Sequence, residues 1–198
     1  MQQVSDRWAL ESFASTADVG QYAVLFQLGY SPIIIVTGMA TAFLAPILFQ
    51  RSGDATNAVR NAGVNQLTWK LAYLALVLTG LVTLFTFVAH NWLFSFLVAS
   101  EYRSMSFLLP WVVLAGGLFA AGQTLSLKLM SEMKTRALAT AKITTALLGV
   151  GLNIIGALLA GLDGVVFALV AFSASYLLWI IFLTRSTTQI PHDRLLSI

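Results

Sequence analysis

Three side-chain amides stand inside long apolar stretches of the sequence, at Gln27, Gln123 and Asn153. Burying an amide without hydrogen-bond partners is unfavourable, so each should face another polar group or water. These residues are therefore candidates to line a water-filled cavity, and hydrogen bonding between helices explains them equally well. Hydroxyl groups in the same stretches are better explained by helix packing, because they can bond to backbone carbonyls of their own helix. These hydroxyls belong to Thr37, Thr41, Thr124, Ser173 and Ser175.

Residues suited to covalent or metal chemistry are few and badly placed. Lys70, Lys128 and Lys142 stand at the ends of apolar stretches, where snorkelling side chains are expected, and no charged residue stands in the middle of one. His90 and His192 are far apart in a chain without cysteine. No glycine-rich loop is followed by Lys and Ser or Thr. We therefore expect a protein that is not an enzyme and that needs no metal or cofactor.

The composition is typical of an integral membrane protein. Apolar residues make up 58% of the 198 residues and charged residues only 10%, whereas soluble domains carry about 25% charge. So few charges could not cover the surface of a soluble domain of this size. A lipid-facing surface removes that difficulty, and the five Trp suit the membrane interface.

Five stretches are long and apolar enough to cross a bilayer as helices, which takes about 20 residues each. No stretch alternates apolar and polar residues over a sustained length, which argues against a β-barrel. Pro32 predicts a kink or hinge in the first span. The predicted spans cover about 22–49, 67–89, 107–129, 143–160 and 165–183.

The segments between the spans carry their own signals. Residues 54–66, with Asp54 as N-cap, predict a helix on the membrane surface. Residues 91–99 are too short to cross and predict a half-helix at the interface. Residues 161–164, Gly-Leu-Asp-Gly, predict a tight turn that joins the last two spans into a hairpin.

The distribution of basic residues predicts the orientation. The segments on one side of the predicted spans carry nine of the eleven Lys and Arg residues, and the opposite side carries only Arg7 and Arg103. The positive-inside rule therefore places the loops around 51–70 and 128–142 and the tail 185–198 in the cytoplasm. The polar segment 1–21 is then an outer-side loop. It has no signal peptide, so we expect an upstream helix and read the chain as the later part of a longer protein; self-insertion of the first span is the alternative.

Several motifs together resemble one transporter family. Asp6-Arg7-Trp8 and residues 17–23 (Ala-Asp-Val-Gly-Gln-Tyr-Ala) resemble the loop before helix eight of polysaccharide flippases. Glu101-Tyr102-Arg103 is similar to that family's approach to helix ten, and residues 151–155 with 161–165 resemble its last hairpin. The family comprises the Wzx-type O-antigen and lipid-linked oligosaccharide flippases of the MATE-like exporter superfamily.

The resemblance implies a fold and a function. Family members have twelve transmembrane helices in two lobes around a cavity, so this chain would form most of the C-terminal lobe, helices eight to twelve. They move undecaprenyl-pyrophosphate-linked repeat units across the bacterial cytoplasmic membrane for surface polysaccharide such as lipopolysaccharide. The expected partners are that substrate, membrane lipid, the N-terminal half of the same protein and the polysaccharide polymerase machinery; no nucleic acid is expected. Candidates for the substrate cavity are Arg7, Tyr22, Gln27, Gln123 and Asn153.

The chain also departs from the family pattern. Lipid II flippases carry an Asp-Arg pair where this chain has Phe26-Gln27, which argues against a lipid II substrate and places Gln27 on the cavity side. The hairpin turn, which usually holds Pro and an aromatic residue, is Ala160-Gly161-Leu162 here. Three other functions stay open: a MATE-like antiporter of drugs or small molecules, which would need a carboxylate inside a span; a membrane enzyme or polymerase acting on lipid-linked sugars; and a structural subunit of a larger complex.

Overall fold

The structure, a computed structural model, describes the backbone of residues 2–52 and 58–186 and the side chains of residues 5–50 and 63–185. Within these ranges the chain is helical and contains no β-strand. The helices are α1 (Gln2–Phe13), α2 (Thr16–Leu25), α3 (Ser31–Ser52), α4 (Ala58–Leu97), α5 (Leu109–Ser131) and α6 (Thr135–Ser186).

Four continuous helical stretches in the described part are long and apolar enough to cross a membrane. They are Thr16–Gln50, Gly63–Leu97, Ser100–Ser131 and Thr135–Arg185. The last contains two non-helical residues, Ala160 and Gly161, so it is two helices in sequence. The predicted all-helical class is therefore confirmed, with four or five helices long and apolar enough to cross a membrane according to how α6 is counted.

Helix α6 folds back on itself at Ala160 and Gly161. Gly161 has a φ of 54°, a left-handed conformation that glycine adopts without strain. A Cβ atom on Gly156 would lie 2.5 Å from the carbonyl oxygen of Gly164, a proximity that eight successive residues of one straight helix could not reach. The two limbs of α6, residues 135–159 and 162–186, therefore form the expected hairpin. The break comes at residues 160–161, at the start of the predicted turn, because Leu162 already has helical geometry.

Two ends of the bundle can be defined from this hairpin. The hairpin end holds the turn at Gly161, the start of α2 and the end of α4. The basic end holds the end of α3, the start of α4 and the connection between α5 and α6. Lys128 and Arg185 lie toward the basic end, which matches the side to which the sequence assigns most of the positive charge.

Residues 2–13 and 16–25 form helices α1 and α2, where the sequence predicted a polar loop over residues 1–21. Ser15 and Asp18 form a capping box at the start of α2, which separates α2 from α1. Helix α1 buries Asp6, Ala9 and Leu10 against the rest of the bundle. The spacing i, i+3, i+4 places these three residues on one face of a helix. The sequence did not reveal this buried face, because polar residues surround it and one of its members is an acid.

A π-helical turn, Phe26–Tyr30, joins α2 to α3. The backbone N–H of Ser31 donates to the carbonyl oxygen of Phe26, one residue further back than in an α-helix. Pro32 explains this π-turn. It has no N–H to donate, and in a regular α-helix its ring would collide with the carbonyl group four residues earlier. The irregularity predicted at Pro32 is therefore present as a π-turn placed immediately before the proline.

Helix α4 is one continuous helix where the sequence predicted three elements: a surface helix, a span and an interfacial half-helix. From Ala58 to Leu97 it is one helix of 40 residues, about 60 Å long at 1.5 Å per residue. The segments 58–66 and 91–97 continue the span at its two ends, and no break separates them from it. The start of the predicted surface helix, including Asp54, lies outside the described residues.

Helix α5 is the centre of the bundle. It packs against α3, α4 and α6, and almost three quarters of an 18-residue apolar segment within Ser100–Ser131 is buried. In the corresponding segment of Thr16–Gln50, the stretch that contains α3, only 6% is buried. Small residues allow the close packing, since Gly117 lies against the side chain of Thr79 of α4 so tightly that a Cβ atom could not be added.

Candidate functional site

Two polar groups of side chains lie between the helices, and the first is sealed. Asp6 of α1 accepts hydrogen bonds from the hydroxyl of Tyr22 at 2.6 Å and from the Nδ2 atom of Asn153. The hydroxyl of Ser5 lies 3.3 Å from Oδ1 of the same carboxylate and donates to it. Asp6, Tyr22 and Asn153 are each at most 2% exposed. We call Ser5, Asp6, Tyr22 and Asn153 the sealed cluster.

The sealed cluster joins the consecutive helices α1 and α2 to α6, which is distant in sequence. Asn153 lies in the first limb of α6, 147 residues after Asp6. Its neighbours one turn away on the same face, Gly149 and Ala157, are small and buried, so α1 can approach the limb closely. The cluster therefore ties α1 and α2 to α6 near the hairpin end.

Burial raises the pKa of the Asp6 carboxyl above its usual value. The hydrogen bonds from Tyr22, Ser5 and Asn153 and the positive charge of Arg7 act in the opposite direction without cancelling the effect of burial. Arg7 itself is exposed. A carboxyl held in this way can take up a proton at a higher pH than a solvated aspartate.

The second polar group lines a cavity that is open to the outside. The cavity has a volume of 170 Å³ and lies between α5 and the two limbs of α6, toward the basic end. We call it the amide cavity after Gln123, the amide on its wall. Its lining consists of Phe119, Gln123, Lys142, Thr145, Ala146, Phe172 and Tyr176.

Three aromatic rings form one wall of the amide cavity. The ring centroid of Phe119 lies 5.0 Å from that of Tyr176 and 5.9 Å from that of Phe172. Gly122 determines where the Tyr176 ring can lie, because a Cβ atom on Gly122 would come within 2.8 Å of two ring carbons. The wall therefore depends on a glycine of α5 that lets an aromatic residue of α6 pack against its backbone.

The polar atoms of the amide cavity are only loosely engaged. The Oε1 atom of Gln123 lies 3.4 Å from the Tyr176 hydroxyl and 3.5 Å from the Ser126 hydroxyl, both long for such bonds. Lys142 is exposed at the edge of the cavity. An amide, a phenol and an ammonium group beside aromatic rings can bind a polar ligand that carries hydroxyls or a negative charge.

The five candidate residues from the sequence do not form one site. Tyr22 and Asn153 meet at Asp6 in the sealed cluster, and Gln123 lies in the amide cavity. Gln27 lines a third cavity, of 280 Å³, together with Tyr102 and the end of α4. Arg7 lies on the exposed face of α1 next to Asp6. Whether any of them contacts a substrate stays a prediction.

Several residues in these sites were missed by the sequence reasoning. Asp6 was assigned to a loop, although Ala9 and Leu10 on the same helical face indicated burial. Phe172 and Tyr176 are four positions apart, a spacing that places both on one side of a helix. The sequence did not single out this side, because the residues around the helix are apolar on every side. Lys142 was interpreted as a snorkelling residue at the end of a span, and it lies at the amide cavity.

Lys128 corrects another interpretation. The sequence suggested that it snorkels to the membrane surface, but the residue is 2% exposed. Its Nζ atom donates to the backbone carbonyl oxygen of Thr184 at 3.0 Å, in the last turn of α6, and lies 3.9 Å from Glu132. A positive charge at the C-terminal end of a helix is favourable. Lys128 therefore fastens α5 to the second limb of α6.

His90 contacts a serine that the sequence did not associate with it. The Ser106 hydroxyl lies 2.9 Å from Nδ1 of His90 and donates to Oδ1 of Asn91 at 3.0 Å. Ser106 is buried, so it is not placed as a nucleophile. Arg103 donates to the carbonyl oxygen of Ser95 in the last turn of α4. These bonds hold the 3-10 helix Ser100–Leu108 against the end of α4.

Among the described residues, no group of three or more His, Cys, Asp or Glu side chains could hold a metal ion. No family model matches the chain, and neither a curated protein nor a solved structure matches it. The function must therefore be argued from the helices, the two polar groups and the resemblance of the motifs.

Proposed function

We propose that the chain is part of a flippase that moves lipid-linked oligosaccharides across the bacterial cytoplasmic membrane. The substrate class is the undecaprenyl-pyrophosphate-linked repeat unit of a surface polysaccharide. The observation that carries the proposal is the amide cavity, a polar and aromatic recess between the helices that is open to the outside. The motif series in the sequence supports the same function independently of that cavity.

The amide cavity suits the head group of such a substrate. A sugar diphosphate is too polar to enter hydrocarbon, so its passage requires polar partners inside the bundle. Gln123 and Tyr176 can exchange hydrogen bonds with sugar hydroxyls, because their own mutual contact is long. Lys142 is placed to attract the diphosphate. The aromatic wall offers flat apolar surfaces against which the faces of sugar rings can stack.

The direction of transport follows from the proposed orientation. With the basic end in the cytoplasm, the amide cavity lies nearer the cytoplasmic side, where the head group enters. Alternating access between this lobe and a second lobe would then release it outside. The N-terminal half of the same protein and the polysaccharide polymerase machinery are the proposed protein partners, and the lipid tail stays in the bilayer.

A second candidate function is favoured by Asp6. An antiporter of small molecules would need a carboxylate inside a span, and Asp6 lies in α1, beside the membrane-crossing stretches and not within one. The structure buries Asp6 against Asn153 of a membrane-crossing limb. A buried carboxyl that contacts such a limb could couple transport to a cation or proton gradient. Ion coupling is compatible with both functions, so the transported molecule must distinguish them.

Deletion of the gene that encodes this chain tests the proposal. The expected result is loss of surface polysaccharide together with accumulation of lipid-linked repeat units on the cytoplasmic side. Restoration by the wild-type gene and by Lys70→Ala, but not by Lys142→Ala, would assign the effect to the cavity, since Lys70 is exposed on α4. Normal polysaccharide export in the deletion strain, with altered resistance to drugs, would favour the antiporter.

A further inference from the structure

Arg185, in the last turn of α6, is held over an aromatic ring of another helix. Its guanidinium carbon lies 5.7 Å from the ring centroid of Trp69 in α4, a distance typical of a cation–π interaction. Trp69 is half-buried and packs against the hydrophobic core between α5 and α6. The indole therefore fixes the position of a guanidinium group that is otherwise exposed.

This guanidinium has no anionic partner within the described part of the chain, where Arg185 forms no hydrogen bond or ion pair. Glu132 is the one acidic residue described toward the basic end, and its carboxylate lies 2.9 Å from Nζ of Lys134 and 3.9 Å from Nζ of Lys128. The helix end does not engage Arg185 either, because the carbonyl oxygen of Thr184 accepts from Lys128. Among the described residues, therefore, nothing occupies the N–H groups of Arg185.

The position of Arg185 corresponds to the boundary between hydrocarbon and lipid head groups. The membrane-length stretch Thr135–Arg185 ends at this residue, and Trp69 lies near the start of the stretch Gly63–Leu97. Tryptophan is enriched at this level of a membrane, and basic residues are enriched just beyond the ends of the spans. The guanidinium and the indole are therefore placed where phosphate groups of lipids lie.

An exposed apolar stripe of α6 leads to the guanidinium. Leu178 and Phe182 precede Arg185 at a spacing of four and then three residues, so all three lie on one helical face. Leu178 is 65% exposed and Phe182 is 69% exposed. A ligand that follows this face therefore meets apolar side chains first and a positive charge at the end.

The charge and the stripe together select the ligand. A planar guanidinium binds phosphate oxygens through two parallel N–H···O bonds. Inorganic phosphate would use the guanidinium alone, whereas a phospholipid can also lay an acyl chain along the stripe. An anionic head group is favoured over a zwitterionic one, because the excess of basic residues at this end repels a second ammonium group.

The site is separate from the amide cavity. Arg185 follows Tyr176 by nine positions, which is two and a half helical turns at 3.6 residues per turn. The two side chains therefore leave α6 on opposite sides, and Arg185 does not line the cavity. A lipid bound at Arg185 belongs to the surrounding bilayer and not to the transport path.

We propose that Arg185 and Trp69 form a binding site for one anionic phospholipid at the basic end. The guanidinium binds the phosphate of the head group, the indole holds the guanidinium in place, and an acyl chain follows Leu178 and Phe182. The bound lipid neutralises Arg185 and fastens the end of α6 to the membrane surface. The proposal does not depend on the substrate that the protein transports.

The test removes the two parts of the site separately. Arg185→Gln removes the guanidinium, and Trp69→Leu removes the ring that holds it. Arg136→Gln is the matched control, because Arg136 is exposed toward the same end and contacts no aromatic ring among the described residues. Each full chain is purified in detergent, stripped of lipid and titrated with phosphatidylglycerol, and native mass spectrometry counts the bound lipid.

Wild type and Arg136→Gln should bind one phosphatidylglycerol with equal affinity. Arg185→Gln and Trp69→Leu should bind it about tenfold more weakly, as the loss of a charge-assisted hydrogen bond predicts. Phosphatidylcholine and inorganic phosphate, each added in excess, should not displace it. Circular dichroism verifies folding, and Arg185→Gln, a change to an exposed side chain, decides the result if Trp69→Leu does not fold.

Four results would overturn the proposal. Unchanged affinity in Arg185→Gln would show that the guanidinium is not the binding group. Equal weakening in Arg136→Gln would assign binding to the overall charge of the basic end. Displacement by inorganic phosphate would show an anion site that needs no lipid. Preferential binding of a polyprenyl diphosphate would assign the site to the transported substrate.

Discussion

The sealed cluster and the amide cavity contain similar polar groups but differ in how these groups are buried and hydrogen-bonded. In each, a tyrosine hydroxyl faces a side-chain oxygen on another helix. Tyr22 donates to Asp6 at 2.6 Å, and Tyr176 lies 3.4 Å from Gln123. The first pair is fully buried, whereas the second borders a cavity that opens to the outside.

This difference in hydrogen bonding suggests a structural role for the sealed cluster and a binding role for the amide cavity. Each polar group in the sealed cluster already has a partner, so a ligand would have to break good hydrogen bonds to enter. The groups in the amide cavity are poorly satisfied by one another and gain from a ligand. We infer that the sealed cluster holds the helices together and that the amide cavity contacts the transported molecule.

The largest expected effect comes from Asn153→Leu. The change removes the amide donor and leaves the buried carboxylate of Asp6 one partner short, which should lower the free energy of unfolding by about 2–4 kcal/mol. Thr144→Val on the same limb should change it little, because that hydroxyl bonds to its own helix. Denaturant titration in detergent measures both. Equal stability of the two variants would contradict the structural role of the sealed cluster.

Gly122→Ala should have the next largest effect. The new methyl group collides with the Tyr176 ring, so the ring must move toward the amide cavity or the helices must separate. Overpacking of this kind lowers stability by about 1–3 kcal/mol, and we expect export of polysaccharide to fall at least tenfold. Gly151→Ala is the control, since no atom lies within 4 Å of its new Cβ. Normal export by Gly122→Ala would show that the position of Tyr176 is unimportant.

The pH dependence of stability should be a property of the sealed cluster. Because the pKa of Asp6 is raised by burial, the folded protein binds the proton more tightly than the unfolded chain. The stabilisation that comes from protonated Asp6 is therefore complete below the pKa of aspartate in the unfolded chain, about 3.9. It is lost as the pH rises through the higher pKa of Asp6 in the folded protein. Melting temperatures across this pH range should show that loss in the wild type and a flatter profile in Asp6→Asn. An unchanged profile in Asp6→Asn would contradict the assignment.

The smallest effect on stability should come from Tyr176→Phe. Its hydroxyl makes a long contact with Gln123 and also interacts with the Ser126 side chain, both weaker than the bond from Tyr22 to Asp6, so the free energy of unfolding should change by only about 1 kcal/mol. Binding of a lipid-linked oligosaccharide should nevertheless weaken several-fold, because the ligand loses a hydroxyl partner. Tyr22→Phe should show the reverse pattern, with a larger loss of stability. Binding isotherms beside melting curves separate the two behaviours.

The comparison also shows what a single sequence can and cannot predict. Long apolar stretches are enough to predict membrane helices, and Gly161 and Pro32 mark the places where the backbone is irregular. The partners of Asn153 and Gln123 were beyond reach, because both depend on how distant helices pack. Asp6 was misplaced, since a carboxylate in a polar segment is usually solvated. Lys128 was misjudged for a related reason: its acceptor is a backbone carbonyl 56 residues away.

The length of α4 was underestimated for a different reason. Residues 58–66 are too polar to be assigned to a span by hydropathy, and residues 91–97 were set apart as part of a stretch too short to cross by itself. Yet no proline or capping motif separates either segment from the span. Hydropathy reports the depth of a residue in the membrane, while helix length depends on where the backbone is interrupted. The two boundaries need not coincide.

The central claim is that the amide cavity binds the polar head group of a lipid-linked oligosaccharide during its translocation. The most direct test places the protein in vesicles that hold this substrate in one leaflet and measures how fast the glycan becomes accessible to a lectin outside. We predict protein-dependent translocation that falls at least tenfold in Gln123→Leu and persists in Gln66→Leu, whose amide is exposed on α4. Translocation at the wild-type rate in Gln123→Leu, or no translocation by the wild type, would contradict the claim.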